Sequence, residues 1–220
     1  MNNERAHLVA VGLLLVGAPL WAHDPITTKL TWTQEISRIV YKRCVTCHAD
    51  FKAYETARPW AKAIRDEVAS RRMPPWGPVK GVGDFIGDPS LSGPEIDMLV
   101  AWVEGGAPEG DPAYLPGRIP TPEAAAILPR YSKVVAVDRE FPLDRPARVM
   151  ALRPKGLNDH GALEAWAMLP DGSIDRLIWL NDYRKAWTRN YVLRDPEVLP
   201  AGTRLRVQGT GAASLTFYLK

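Results

Sequence analysis

The sequence predicts an α+β protein, with an all-α N-terminal half followed by an antiparallel β-sandwich. Three observations carry that expectation. Apolar residues recur at helical spacing between positions 31 and 106, and short apolar segments punctuated by Gly and Pro recur from position 133 onward. A stretch rich in Pro and Gly separates the two textures. The 220 residues suffice for one large domain or two small ones, and 46% hydrophobic with 24% charged residues excludes fibrous and wholly disordered chains. The expected division is a signal peptide at 1–22, a helical domain at 23–110, a linker at 111–131 and a β-sandwich domain at 132–220.

The first element is an address. Arg5 and His7 precede the apolar run from Leu8 to Gly17, and Ala18, Pro19 and Ala22 follow it. That order of charged, apolar and small residues marks a secretory signal cut after Ala22, and the run is too short, and too soon broken by Pro19, for a membrane span. An uncleaved anchor is the alternative reading. Cleavage places the chain in the periplasm, or otherwise exported, with no membrane span left. The chain is slightly acidic up to Leu115 and basic from Pro116 onward, but its cations are dispersed. Without a basic cluster interleaved with aromatics, no nucleic-acid partner is expected.

Helices come next. The first is expected over 31–44, capped by Thr31 or Thr33, with Ile36, Val40, Cys44 and Cys47 on one face. The second runs over 56–72 with Pro59 in its first turn and Trp60, Ile64 and Val68 as its inner stripe. The third opens at Ser92, which has capping-box spacing to Glu95 with Pro94 between them. It should bury Ile96, Leu99, Val100 and Val103, turn Met98 away from the core, and stop at Gly105 and Gly106. Residues 107–131 read as irregular chain with one short helical turn at 123–128. Strands are expected at 133–137, 147–152, 163–169, 174–180, 191–193, 204–208 and 214–219. Pro170-Asp171-Gly172 and Pro200-Ala201-Gly202 supply turn signals between them.

Cys44-Val-Thr-Cys47-His48 is the sharpest motif, and it holds the only two cysteines of the chain. A disulfide scaffold is therefore excluded. Two thiols three residues apart on a helix lie on nearly one face, where they can add to the two vinyl groups of a haem while the next residue offers its imidazole to the iron. Other readings compete. A thioredoxin-like redox pair needs a preceding strand that the flanking sequence lacks, and structural zinc needs four ligands where only His23 and His160 remain outside the motif and signal. A chance match is the last alternative.

A further axial ligand belongs on a loop facing the iron. Met73 follows the second helix, and Pro74 and Pro75 hold the chain extended beyond it. Met1 leaves with the signal, Met98 points away from the expected core of the third helix, and Met150 and Met168 lie in expected strands where a Met is packing. A vacant or water-filled position, or a distal His, is the alternative to Met73. Trp76 is expected to pack on the haem.

The motif, Met73-Pro-Pro-Trp76 and the terminal helical segment from Glu95 to Val103 resemble a class I c-type cytochrome over about residues 30–110. Ala57-Arg-Pro-Trp-Ala-Lys-Ala-Ile64, Asp88-Pro-Ser-Leu-Ser92 and Gly105-Gly-Ala-Pro-Glu-Gly-Asp-Pro112 are similar to cytochrome modules found beside copper type II, ascorbate-dependent monooxygenase-like domains. The resemblance implies a class I cytochrome c haem domain at 23–110 with one covalent haem c on Cys44 and Cys47, His48 as proximal ligand and Met73 as distal ligand. It departs from many class I cytochromes after His48, where Ala-Asp-Phe-Lys replaces a proline-bearing segment, so no partner for the imidazole is named.

Residues 148–211 resemble the second β-sandwich of those monooxygenases through Leu169-Pro-Asp-Gly-Ser173, Leu177-Ile-Trp-Leu-Asn-Asp-Tyr183, Trp187 and Leu199-Pro-Ala-Gly-Thr-Arg204. The copper ligands are missing. Where the family has proline and a His-x-His pair, this chain has Pro154, Lys155 and Leu157, and His160 alone does not replace them, so copper is not expected. His23 at a new N-terminus could chelate copper with its amine, against the plainer reading of an unstructured start.

The expected function is that of an exported monohaem cytochrome moving one electron at a time between redox protein partners, with the β domain for docking or assembly. A haem enzyme with a labile, peroxidase-like distal side is one alternative. A structural haem subunit of a larger periplasmic redox complex is the other.

Overall fold

The structure is a computed structural model that describes residues 29–120, 123 and 126–220. The expected signal, its cleavage site after Ala22 and His23 lie outside the described residues. No helix among the described residues is long and apolar enough to cross a membrane.

Thr31 caps the first helical segment, its Oγ1 accepting the Gln34 N–H at 3.3 Å. The opening turn, Trp32–Ile36, is wound as a π-helix and passes into α1 (Ser37–Arg43). α1 buries Ile39, Val40 and Tyr41 but ends before the motif, so Cys44 and Cys47 do not share a helix face as expected. The Val45 N–H returns to the Val40 carbonyl at 3.1 Å, a wider closure that ends the α-helical ladder.

The second helix is broken. α2 (Tyr54–Ala57) and α3 (Ala61–Ala69) flank a 3-10 turn at Arg58–Trp60. Pro59 has no N–H to bond back along an α-helix, and the chain tightens around it. Trp60 consequently points outward, 58% exposed, and the inner stripe is Ala57, Ala61 and Val68 with Ile64 half-buried.

α4 (Gly93–Glu104) forms with the capping box complete: Ser92 Oγ accepts the Glu95 N–H at 3.3 Å, and the Glu95 carboxylate accepts the Ser92 N–H at 2.7 Å. Ile96, Leu99 and Trp102 are its buried residues, while Val100 and Val103 are half-buried. Met98 is half-buried against the same apolar cluster instead of turned away from it. Trp102 Nε1 donates to the Pro108 carbonyl at 2.9 Å, and the N–H groups of Trp32 and Thr33 donate to Pro108 and Glu109 at 3.0 and 2.9 Å. The chain after α4 thus folds back on the first helical turn. Gly110 makes the approach possible, because its φ is +89° and a Cβ there would lie 2.5 Å from Thr33 Oγ1. Glu123 and residues 126–128 carry no helix, and 124–125 lie outside the described residues.

These observations overturn the fold class expected for the N-terminal half. The helical part is small, its longest helix has 12 residues and its shortest 4, and a class I cytochrome c fold is not shown. Residues 70–92 contain no helix at all. Pro74, Pro75, Pro78 and Pro89, with Gly77, Gly81, Gly83 and Gly87, explain why: they remove donors, fix φ or release the backbone from helical conformations.

The C-terminal part consists of two antiparallel sheets. β1 (Lys133–Val137), β8 (Ser214–Leu219), β3 (Ala147–Lys155) and β6 (Tyr191–Leu199) form one, in that order. β2 (Glu140–Pro142), β7 (Arg204–Gly209), β4 (Leu163–Met168) and β5 (Ile174–Leu180) form the other. Alternation directs Leu215, Phe217 and Leu219 of β8, and Leu163, Ala165 and Ala167 of β4, into one shared core. β2 has no counterpart among the expected strands, and β3 and β6 run further than expected.

The segment joining α3 to α4 belongs to both parts. Trp76 and Phe85 are buried in the core of the sheets, each ring edge-on to Tyr191 of β6. Pro78 bridges to Leu180, the Val79 N–H donates to the Trp179 carbonyl at 2.7 Å, and residues 84–86 pair with β6 through Phe85 and Leu193. β5 and β6 are the outer strands of their sheets. One stretch of chain therefore straps both edges on this side, satisfying backbone groups that would otherwise be open to pairing.

Candidate functional site

Cys44, Cys47 and His48 lie on one tight turn that caps α1. The Cys44 N–H donates to the Val40 carbonyl at 2.8 Å; the N–H groups of Cys47 and His48 then both return to the Cys44 carbonyl, at 3.1 and 2.9 Å. This doubly bonded turn fixes the three residues relative to one another. Val45 anchors it in the helical core, while Thr46, Cys47 and His48 are exposed. A 3-10 turn, Ala49–Lys52, follows and is held from behind by the Tyr41 hydroxyl donating to the Lys52 carbonyl at 2.9 Å.

The turn places Phe51 against His48. Their rings are stacked, with centroids 5.0 Å apart and planes at 12°. The imidazole makes no hydrogen bond among the described residues. Sequence reasoning missed Phe51, because nothing in residue spacing foretold the 3-10 turn that carries it back.

The two thiols are unlike. No disulfide joins them, and Cys44 is half-buried against the helical core while Cys47 is exposed. Burial pushes the Cys44 thiol up to about 11, against the opposing pull of the Arg43 guanidinium. Burial therefore makes Cys44 the less readily ionised group for nucleophilic chemistry.

Arg43 and Glu95 brace the turn. Arg43 Nε and Nη2 meet the two carboxylate oxygens at 3.1 and 3.2 Å, and both side chains are largely buried. Burial works to raise the Glu95 carboxyl, but the Ser92 N–H and the Arg43 guanidinium outweigh it and hold the group below the usual range. The end of α1 is thereby clamped to the start of α4.

Met73 sits elsewhere. It is 40% exposed and lines a cleft of about 590 Å³ with Leu91 and Ile96 on the helical side and Trp179 and Trp187 on the β side. Cys44, Cys47 and His48 are not among the residues lining that cleft. Trp76 also borders it, but its ring is packed into the β core, with the Arg189 guanidinium 5.5 Å from its centroid. The structure thus brings the two thiols and the imidazole together, and gathers Met73 and Trp76 around a separate space.

The chain matches no known family model and no curated protein. The resemblances to c-type cytochromes and to copper monooxygenase domains rest on the motifs quoted above.

At the family's copper position, Lys155 is exposed at the end of β3 and Leu157 is buried in the core. His160 has both ring nitrogens engaged, Nδ1 with Asp182 at 2.6 Å and Nε2 with Arg184 at 2.8 Å. Among the described residues no group of three or more His, Cys, Asp or Glu gathers as for a metal ion.

Proposed function

We propose that this chain holds one haem c, joined by thioether bonds to Cys44 and Cys47 with His48 as an axial ligand, and passes single electrons between redox proteins. The observation that carries the reading is the Cys44–His48 turn. Its donor set fits the group: two thiols and an imidazole on one hydrogen-bonded turn, the imidazole exposed and without a hydrogen bond among the described residues.

A haem bound there supplies one-electron redox chemistry. The residues of the chain do the rest. Cys44 and Cys47 would tether the group and His48 would offer it an imidazole nitrogen, while Phe51 stacks on that imidazole and the Arg43–Glu95 clamp holds the turn against the start of α4. Met73, 40% exposed on the separate cleft, would be the second protein ligand if the group reaches it, and its role is tested separately. Export to the periplasm and partnership with redox proteins belong to the same proposal. The β part serves as the frame for the 73–88 segment and as a docking surface.

Protein secreted by a host competent in cytochrome c maturation should show narrow c-type bands on reduction, and the colour should stay with the polypeptide after acid–acetone extraction. Extraction of all pigment, or a colourless product, defeats the reading. Cys47→Ser should abolish double attachment, and Met73→Ala should alter the spectrum of the oxidised protein only if Met73 is a ligand.

A further inference from the structure

A second cleft, of about 450 Å³, opens on the β part at the C-terminal end of β3. It is lined by Arg153 and Lys155 of that strand, Thr216 of β8, Asn158, and Lys185 and Thr188 from the turn before β6. No Asp or Glu among the described residues lines it. Asp159, next in sequence to Asn158, accepts the Lys185 backbone N–H at 2.7 Å, and its one negative charge still leaves the three cations of the lining in excess.

The charge of this cleft is unbalanced. Arg153, Lys155 and Lys185 form no ion pair among the described residues, and Arg153 makes a single long contact, 3.4 Å to Asn190 Oδ1. Several cations outside the cleft are matched, among them Arg43 with Glu95, Arg72 with Glu67, Lys80 with Asp88 and Arg194 with Glu123, whereas none of the three cations that share this concavity is. Three like charges around one concavity repel each other, and the concavity focuses their field on whatever enters. The Tyr183 hydroxyl donates to Thr188 Oγ1 at 2.7 Å, fixing that hydroxyl at the rim.

We infer that this cleft is a binding site for a small polyanion, a molecule with two or more negative charges carried on phosphates or on clustered carboxylates. Arg153 offers a planar fork suited to an oxyanion, the two ammonium groups offer mobile charge, and Thr216 and Asn158 offer neutral donors. Three cations around one opening match a ligand with more than one charged group. The site is independent of the haem reading.

Titration calorimetry on the full secreted protein, with inorganic pyrophosphate and with citrate as probes, tests it. Saturable one-to-one binding of either is expected, weakening as salt is added, and the better probe identifies phosphate or carboxylate as the charge carrier. Arg153→Gln and the double change Lys155→Gln/Lys185→Gln should each weaken binding about tenfold or more. The two lysines are exposed, so the double variant keeps the fold and decides the matter if Arg153→Gln is unstable. Absence of saturable binding of both probes, or affinities unchanged in the folded double variant, overturns the inference.

Discussion

Cys44 and Cys47 are three residues apart, yet they should react as different groups. Burial pushes the Cys44 thiol up to about 11, so it is largely protonated at pH 8, while Cys47 is open to solvent. In protein made without haem, iodoacetamide at pH 8 is expected to label Cys47 first and Cys44 only as the pH approaches its raised value. Protein that carries the proposed haem should take up no label at either position, even after unfolding; mass spectrometry reads both outcomes. Arg43→Met leaves the Glu95 carboxylate mostly buried without its partner and should cost about 2–3 kcal/mol in denaturant unfolding. The direction of the Glu95 shift sets the pH window: a carboxyl held below its unfolded value stabilises fully above that value and loses its contribution as the pH falls through the folded one. At this scale the thiol–thiol–imidazole motif was legible because its chemistry depends on residue types at fixed short spacing. Phe51 was not, because its place beside His48 depends on a turn rather than on a spacing.

Elements were legible where their signals are local. Ser92, Pro94 and Glu95 specify the start of α4 within four residues, and the helix forms there; Ser92→Ala should lower stability by about 1 kcal/mol, measured as a shift in the denaturant midpoint. Pro59 was a valid signal read too generously. It sits between α2 and α3 as a break, and with the turn tightened Trp60 leaves the buried face. β2 is three residues long and carries Pro142, so pattern alone could not reveal it; it exists because its register with Arg204, Leu205 and Arg206 of β7 provides a ladder. The Pro- and Gly-rich composition after α4 predicts irregular chain, yet part of it is fixed. Glu123 accepts the Gly87 N–H and pairs with Arg194 at 2.7 Å, and these bonds hold its carboxyl down to about 2. Because the folded value lies below the ordinary 4.5, this tie is complete above that pH and is lost as the pH falls toward 2; Glu123→Gln should remove that acid dependence, with the chemical shift of the Gly87 amide as readout.

At the scale of the whole molecule the helical and β parts are joined through their interiors. Trp76 and Phe85, contributed from between α3 and α4, fill the core of the two sheets, and no sequence window contains both those rings and Tyr191. That long-range packing is what the sequence could not disclose, and it explains why a self-contained helical domain was expected where the structure has a small helical part. Phe85→Ala should cost about 3–5 kcal/mol, reported by the unfolding of the sheets and not of the helices alone. A fragment beginning at residue 132 should expose the edges of β5 and β6 and self-associate, as sedimentation would show.

The strap across those two edges also has a consequence for the order of assembly. The turn bearing Cys44, Cys47 and His48 closes through contacts three to five residues long, whereas the pairing of Phe85 with Leu193 must wait for a strand more than a hundred residues downstream. A chain emerging from N-terminus to C-terminus can therefore present its two thiols on a formed turn while residues 76–86 are still unpaired, and the closing of the strap becomes a late event. Pulse-labelling hydrogen exchange during refolding should find the Val79 and Ile86 amides protected after those of Cys47 and His48.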